Sequence, residues 1–443
     1  MSTAKKPVHI IGAGLAGCEA AYQLAERGVK VVLYEMRAKN ITQTEAHKTF
    51  DPAELVCSNS FGSETDYSPA GQLKWEAKTR NSLILKAATV AKVPAGMSLS
   101  VDRKAFSAEV LSALETHPNI ELKKQLVEDI NDVPRPTIIA TGPLTHQSLA
   151  NSIHKHFDNQ FLYFYDAIAP IIDADSINYD KVWFGDRFDK GDKDYINCPL
   201  NEDEYFKLIE EIKLALKVEP KAFEKDIPYF DGCMPIEEMA RRGDLTPKFG
   251  PLSPRGLNQQ GPLKDEKGGY FAVAQLRKEN VEGSAYNLVG FQTKMTYGEQ
   301  KRVFRLIPGL EEAEFLKLGS IHKNLYIHSP KLLSEQLSSK KDSELYFAGQ
   351  ITGVEGYFES TCMGLLVAHF VADQIEGKTF TPPPRQTAFG SLYNALREEK
   401  ETFQPTNINF SLFPLPDEKL RGRRNKAKKR DLQIQKARES YLL

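Results

Sequence analysis

The sequence predicts an α/β chain in which a doubly wound, mostly parallel sheet carries an inserted α+β domain. Three observations predict it. Residues 8–35 read strand, glycine turn, helix, strand. Two later strand–glycine turns, at 137–143 and 345–357, read as returns of the chain to the same kind of unit. Between those returns, from about residue 150 to 334, the composition turns aromatic, in short alternating runs separated by Gly and Asp.

The first unit opens with Val8-His9-Ile10-Ile11, short, apolar and β-branched as a strand buried on both faces should be. Gly12-Ala13-Gly14-Leu15-Ala16-Gly17 comes next. Gly12 permits the turn, Gly14 lets backbone N–H groups approach a pyrophosphate, and Gly17 lets the helix pack close to the strand. The spacing predicts a helix over Cys18–Arg27 with its positive end toward that pyrophosphate. A second strand over Val29–Glu35 ends on a carboxylate placed, about 20 residues after the glycines, to bind ribose hydroxyls. Arg37 stands just beyond it. The order of parts, more than the glycines alone, reads as a dinucleotide site.

A chain of 443 residues has room for two or three domains. Lys and Arg total 58 against 59 Asp and Glu, so no overall charge favours nucleic acid, although a local basic face can hide in a neutral total. Cys18, Cys57, Cys198, Cys233 and Cys362 are odd in number, far apart and without CxxC spacing. That pattern argues against a disulfide framework and against zinc, and for reduced thiols. Neither a signal peptide before Val8 nor a bilayer-spanning apolar run is expected. The expectation is a soluble, cytoplasmic protein with no membrane partner and no obligate protein partner.

Residues 53–60, Ala-Glu-Leu-Val-Cys-Ser-Asn-Ser, have no clean period and sit where active-site loops tend to lie. Cys57 there is either a functional thiol or a packed bystander. The pattern then predicts a helix over Leu73–Ala91, a break at Pro94-Ala95-Gly96, a helix from Asp102 to Leu114 and a strand over Glu121–Val127. Thr137-Ile138-Ile139-Ala140 runs as a strand into Thr141-Gly142. Within the inserted stretch, Glu202–Leu216 reads as a helix, and the aromatic runs at 161–166 and 183–184 read as core. Gly232 and Pro235 hold Cys233 in a turn, and a helix beginning near Pro235 would place its positive end, with Arg241 and Arg242, near the sulfur. That setting raises the thiolate fraction, against the alternative of a structural cysteine.

The second platform is Leu345-Tyr346-Phe347-Ala348-Gly349-Gln350-Ile351-Thr352-Gly353-Val354-Glu355-Gly356-Tyr357, followed by a helix over Glu359–Ile375 and a Gly377 cap. A strand–Ala-Gly–helix return paired with an N-terminal GxGxxG is the arrangement of glutathione-reductase-type, Rossmann-like FAD-binding domains, and it favours FAD over NAD(P) as the bound dinucleotide. Gly349, Gln350, Gly353 and Val354 are its candidate contacts, with Tyr357 placed to stack on the flavin. Pro382-Pro383-Pro384 marks a linker. Arg421–Arg430 is a dense basic run on an expected helix, read either as a solvated surface or as phosphate contacts. The expected domains are 1–149 and 335–385 for FAD, 150–334 for the insert, and 386–443 for a basic helical tail.

Five of these segments, at 8–37, 54–60, 138–145, 232–237 and 348–357, together resemble the folate- and FAD-dependent tRNA uracil-5-methyltransferases over essentially the whole chain. The resemblance implies a one-carbon unit taken from methylenetetrahydrofolate, carried and reduced on the flavin with electrons from NADPH or NADH, and left as a methyl on C5 of the T-loop uridine of tRNA. By motif match it implies Cys233 as the nucleophile at uracil C6 and Cys57 as the group assisting at C5, or the two roles exchanged. The cofactor contacts it implies are Gly12, Ala13, Gly14, Leu15, Ala16, Gly17, Glu35, Arg37, Thr141, Gly142, Gly349, Gln350, Gly353, Val354 and Tyr357. Two departures stand out: Phe61-Gly62 where the family usually has Leu-Arg, and Thr361-Cys362-Met363 in place of small residues. Cys18, Cys198 and Cys362 are read as packing cysteines. The alternatives are the same chemistry on ribosomal RNA, a wobble-uridine flavin–folate enzyme, a flavin disulfide oxidoreductase, and a non-catalytic RNA-binding flavin fold.

Overall fold

The computed structural model describes residues 6–38, 44, 46–158, 161–167, 169–218, 234–257, 260–261, 269–280, 283–319, 321–399, 403–416 and 425–442. Five parallel strands make the first sheet, in the order Asp342–Phe347, Thr137–Ile139, Val8–Ile11, Val31–Glu35 and Ile120–Lys124. Ser338–Ser339 adds an antiparallel edge. From Val8–Ile11 the chain winds first to one side and later to the other, so the strand order reverses there. In such sheets ligands bind outside the carboxyl ends of the strands at this reversal.

The first helix spans Leu15–Glu26, starting three residues before the spacing predicts, with Gly14 as its extended N-cap. Leu15, Ala16 and Gly17 therefore form its first turn. The helix lies so close to the strand end that a Cβ on Gly17 would stand 1.8 Å from the Gly12 carbonyl oxygen. Gly12 has φ +104°, which side chains rarely adopt.

The helix expected over Leu73–Ala91 is two helices, Pro69–Thr79 and Leu83–Val90. The break has a local cause. Asn81 takes φ +62°, and Ser82 caps the second helix by accepting from the Leu85 N–H. The buried Glu19 carboxylate accepts from the Leu83 and Ile84 N–H groups and from the Ser82 hydroxyl, so the new N-terminus has partners in the core. The return helix starts at Tyr357, two residues early, and runs to Ile375 against the first helix. A small three-stranded sheet of Ser60–Ser63, Lys92–Val93 and Ser98–Val101 has no counterpart in the sequence pattern.

The second sheet is antiparallel and draws its strands from the insert, in the order Trp183–Phe184, Tyr195–Leu200, Ala272–Lys278, Ala285–Leu288, Ile171–Asp173 and Phe315–Lys317. Its core includes Ile172, Cys198, Tyr205, Leu276 and Phe304, and the helix Glu202–Leu214 covers it, closed by an Asn201/Glu204 capping box. Phe161–Ala167 and Ile321–Ile327 pair as the two-stranded ribbon leading into and out of the insert. Near the C-terminus the helix Lys426–Leu442 packs on Pro69–Thr79. No helix among the described residues is long and apolar enough to cross a membrane.

Candidate active site

At the reversal point of the first sheet lies a cleft of about 540 Å³ lined by Gly12, Ala13, Gly14, Glu35, Arg37 and Thr141, among others. Six sequence-predicted contacts thus share one wall. The first-turn N–H groups of helix Leu15–Glu26 have no side-chain cap, and a Cβ on Gly14 would meet no atom within 4 Å. The same is true of Gly142. A glycine that leaves open space at an uncapped helix start is a cradle for a phosphate. Glu35 and Arg37 are both buried. Glu35 accepts from the Arg37 backbone N at 2.8 Å, Nε at 2.9 Å and Nη2 at 3.1 Å, and Arg37 also donates to Glu54 at 3.0 Å. A carboxylate offers about four lone-pair directions, so one remains at Glu35 for a ribose hydroxyl. These residues fit a dinucleotide.

Leu15, Ala16 and Gly17 are buried in the helix, so their part in such a site is through backbone N–H groups. Gly349 closes on them from the return segment: at φ +78°, a Cβ there would lie 2.7 Å from Ala16 Cβ. Gln350–Thr352 forms a short turn packed against the Gly142–Leu144 turn. Gln350 donates to Glu355 at 2.7 Å, and Val354 is buried and bridges to Thr406. Gly349, Gln350, Gly353 and Val354 do not line the cleft of Gly12 and Gly14; Gly349 meets the first helix at Ala16, whereas Gly353 lies against Phe403 and Val354 bridges to Thr406.

Tyr357 and Cys57, 300 positions apart, meet. The Cys57 backbone N–H donates to the Tyr357 hydroxyl at 2.6 Å. The Tyr357 ring lies 5.9 Å from Phe61, which also packs on Phe106 and Phe358. The Phe61 that departs from the usual family pattern is therefore an aromatic brace for Tyr357. Cys57 is partly exposed, whereas Cys18, Cys198 and Cys362 are buried, as expected of packing cysteines. Burial pushes the Cys18, Cys198 and Cys362 thiols well up, away from reactivity.

The carbonyls around Cys57 are held by two cations. Arg103, the first residue of helix Arg103–Thr116, donates to the Leu55 carbonyl and, at 2.9 Å, to the Cys57 carbonyl, and pairs with Glu279 at 2.9 Å. Lys317 donates to the Val56 carbonyl at 2.9 Å. Asn59, two residues on and fully buried, donates to the Val101 carbonyl at 3.1 Å and to the Lys278 carbonyl at 3.0 Å. Glu279, Lys278 and Lys317 belong to the insert, so the segment carrying Cys57 is fastened to both domains. A second cleft, of about 1060 Å³, opens beside it, lined by Glu54, Leu55, Arg103, Glu279 and Lys317 among others. Asn59 Oδ1 and Glu279 Oε1 are buried acceptors without a partner among the described residues. Such atoms suit a ligand carrying N–H or O–H donors.

Cys233 lies outside the described residues, as do Gly232 and residues 421–424 of the basic run. The residues just after Cys233 are held firmly. Met234 is buried, and a helix spans Ile236–Arg242 with Pro235 at its N-cap, as expected. The Ile236 N–H donates to the Gln292 carbonyl at 2.8 Å. Glu237 accepts from Thr293 Oγ1 and from the Met295 N–H at 3.1 Å. Burial pushes its carboxyl up, partly offset by those bonds.

Sequence reasoning missed Arg103, Lys317, Glu279 and Asn59. Arg103 alone left a trace: a cation at the first position of a helix opposes the helix dipole and needs another reason to be there. The other three depend on contacts between distant segments.

Comparison with known proteins gives the chain its relatives. The family described as glucose inhibited division protein A matches residues 7–379. The methylenetetrahydrofolate--tRNA-(uracil-5-)-methyltransferase TrmFO of Bdellovibrio bacteriovorus is 58% identical over 425 residues, 95% of this chain and 94% of that protein. The protein of the same name from Sulfurihydrogenibium is 48% identical, covering 98% of this chain and 97% of its own. Among solved structures, Aquifex aeolicus GidA superposes with a TM-score of 0.69, covering 100% of this chain and 75% of that one at 16% identity, a likeness of fold.

Proposed function

Because this chain belongs to the glucose inhibited division protein A family and, within it, to the methylenetetrahydrofolate--tRNA-(uracil-5-)-methyltransferases, we propose that it forms 5-methyluridine in the T-loop of tRNA. Methylenetetrahydrofolate is the one-carbon donor, FAD the cofactor and NADPH or NADH the reductant. Gly12, Gly14, Glu35, Arg37 and Thr141 would hold the dinucleotide, with Gly142, Gly349, Gln350, Gly353 and Val354 beside it and Tyr357 against its ring system. When bound, FAD would pass on the two electrons, drawn from NADPH or NADH, that turn a methylene into a methyl.

The protein's own part concerns the uracil. C5 is a poor nucleophile, and a thiolate added at C6 makes the ring an enolate able to attack an electrophilic carbon. A second group must then take the C5 proton so that the thiolate can leave. We assign the first role to Cys233 and the second to Cys57. The observation that carries this reading is the placement of Cys57: the one partly exposed cysteine among the described thiols sits where the flavin domain's return segment meets the insert, its backbone bound to Tyr357. The target base must leave the folded T-loop to reach such a site, so we place its pocket between the two domains. The same reading divides the chain into 1–149, 150–334, 335–385 and 386–443 and puts the reaction in the cytoplasm.

The relatives' names favour none of the alternatives. The test is to incubate the purified protein with methylenetetrahydrofolate, NADPH and either unmodified tRNA or ribosomal RNA fragments, and to map the product. The proposal expects 5-methyluridine in the tRNA T-loop only when both co-substrates are present. Product on ribosomal RNA alone would move the target, and NADPH turnover with neither folate nor RNA required would contradict the reading.

A further inference from the structure

Lys317 sits at a β-bulge: Phe315 registers with Ile172 and Lys317 with Ile171, so the regular pairing breaks between them. Bulges re-aim side chains, and this one sends the Lys317 side chain out of the insert onto the Val56 carbonyl. A partly buried lysine in a structural role generally pairs with a carboxylate. Among the described residues Lys317 has no ion pair, and its hydrogen bond goes to the residue before Cys57. The charged groups that line the same cleft are Lys48, Glu54, Asp102, Arg103, Lys104 and Glu279. Glu279 gives Oε2 to Arg103 and keeps Oε1 without a partner among the described residues, Asp102 caps its own helix, and Glu54 is taken by Arg37 and the 48–49 backbone. Burial, then Arg103 and Lys48, bring the Lys317 amine down to about 8, while Cys57 and Glu279 pull the other way.

We propose that Lys317 is a positioning residue for Cys57: delivered by the inserted domain, its ammonium completes the hold on three successive carbonyls begun by Arg103 and sets a positive charge near the thiol when the domains are docked. The inference rests on Cys57 being a working thiol, and its test does not use methyl transfer. A lysine that merely braced the loop would change stability and leave the reactivity of the Cys57 thiol indifferent to the charge at position 317.

The experiment follows iodoacetamide alkylation of the Cys57 peptide by mass spectrometry from pH 6 to 10 in the full-length, FAD-loaded enzyme. It compares the parent with Lys317→Met, Lys317→Gln and Lys317→Arg. The proposal predicts that Lys317→Met and Lys317→Gln slow alkylation at pH 7, where the Lys317 amine still carries its proton, by about threefold, that the difference from the parent shrinks above pH 9, where the parental amine is neutral, and that Lys317→Arg restores the pH 7 rate. Gln keeps a donor for the Val56 carbonyl without the charge, so it remains informative if Met disturbs the loop. A parental pH 7 rate in Lys317→Gln, or the same slowing in Lys317→Arg as in Lys317→Met, overturns the proposal. Full methyl transfer by Cys57→Ala would overturn the working role of Cys57 on which the inference rests, a failure distinct from a Lys317 charge without effect on alkylation.

Discussion

Gly14 and Gly17 occupy one turn and answer to different constraints. A Cβ on Gly17 would collide with the Gly12 carbonyl, while one on Gly14 would enter open space at the helix start. Gly14→Leu should therefore fold, melt near the parent stripped of FAD and come out colourless. Gly17→Leu should fail to give soluble protein. Flavin absorbance and thermal melting check both, and a yellow Gly14→Leu would mean that the pyrophosphate lies elsewhere. Tyr357→Phe keeps the ring and removes the acceptor for the Cys57 N–H, a loss of about 1 kcal/mol. Methyl transfer at saturating co-substrates should drop about fivefold with flavin retained, and an unchanged rate would detach Tyr357 from Cys57. At this scale Cys57 and Tyr357 were each legible in the sequence, from an irregular polar loop and a glycine-rich platform. Their contact was not, because nothing local in either segment encodes a partner 300 positions away.

Elements were legible where caps and glycines punctuate them. The helix start at Asp102, whose side chain accepts from the Lys104 and Ala105 N–H groups, obeys the expected capping chemistry. The split at Arg80–Ser82 escaped notice because the apolar period runs through it and its anchor, Glu19, lies in another helix. A related case is Glu76, which accepts from the Ala388 and Phe389 N–H groups and fixes the start of helix Ala388–Ala395. Burial pushes its carboxyl up to about 7. The folded state then holds a proton that the unfolded state releases near its ordinary 4.5, so stability falls as pH rises from about 4.5 to 7, by on the order of 3 kcal/mol. Glu76→Gln loses a hydrogen bond but should flatten this dependence. Melting from pH 4.5 to 8 decides it, and parallel pH curves would contradict the assignment. The C-terminal helix is anchored along one stripe: Gln433 donates to the Phe410, Phe413 and Pro414 carbonyls, and Tyr441 accepts from Arg80 and Thr79. Lys428 and Arg430 stay exposed. If the Arg421–Arg430 run meets phosphates, neutralising it should weaken tRNA binding and flatten the salt slope by about 0.7–0.9 for each phosphate released. An unchanged slope returns it to a solvated surface.

For the whole molecule, the two-domain plan was legible because three glycine turns bracket a stretch of different composition, and a doubly wound sheet needs each of those turns at its strand ends. The docking of the domains was not. Arg103 with Glu279, Lys317 with Val56 and Asn59 with Lys278 join segments far apart in sequence, largely through backbone carbonyls that carry no sequence signal. Those bonds place a partly exposed thiol at the junction, and the account needs a second thiol, Cys233, to reach the same base. A T-loop RNA carrying 5-fluorouridine tests that need most directly, since fluorine at C5 cannot leave as the proton does and the C6 adduct should persist. With methylenetetrahydrofolate and NADPH present, peptide mapping should find the RNA covalently joined to Cys233 and no adduct in Cys233→Ala. An adduct on another residue, or one that survives in Cys233→Ala, would contradict the account.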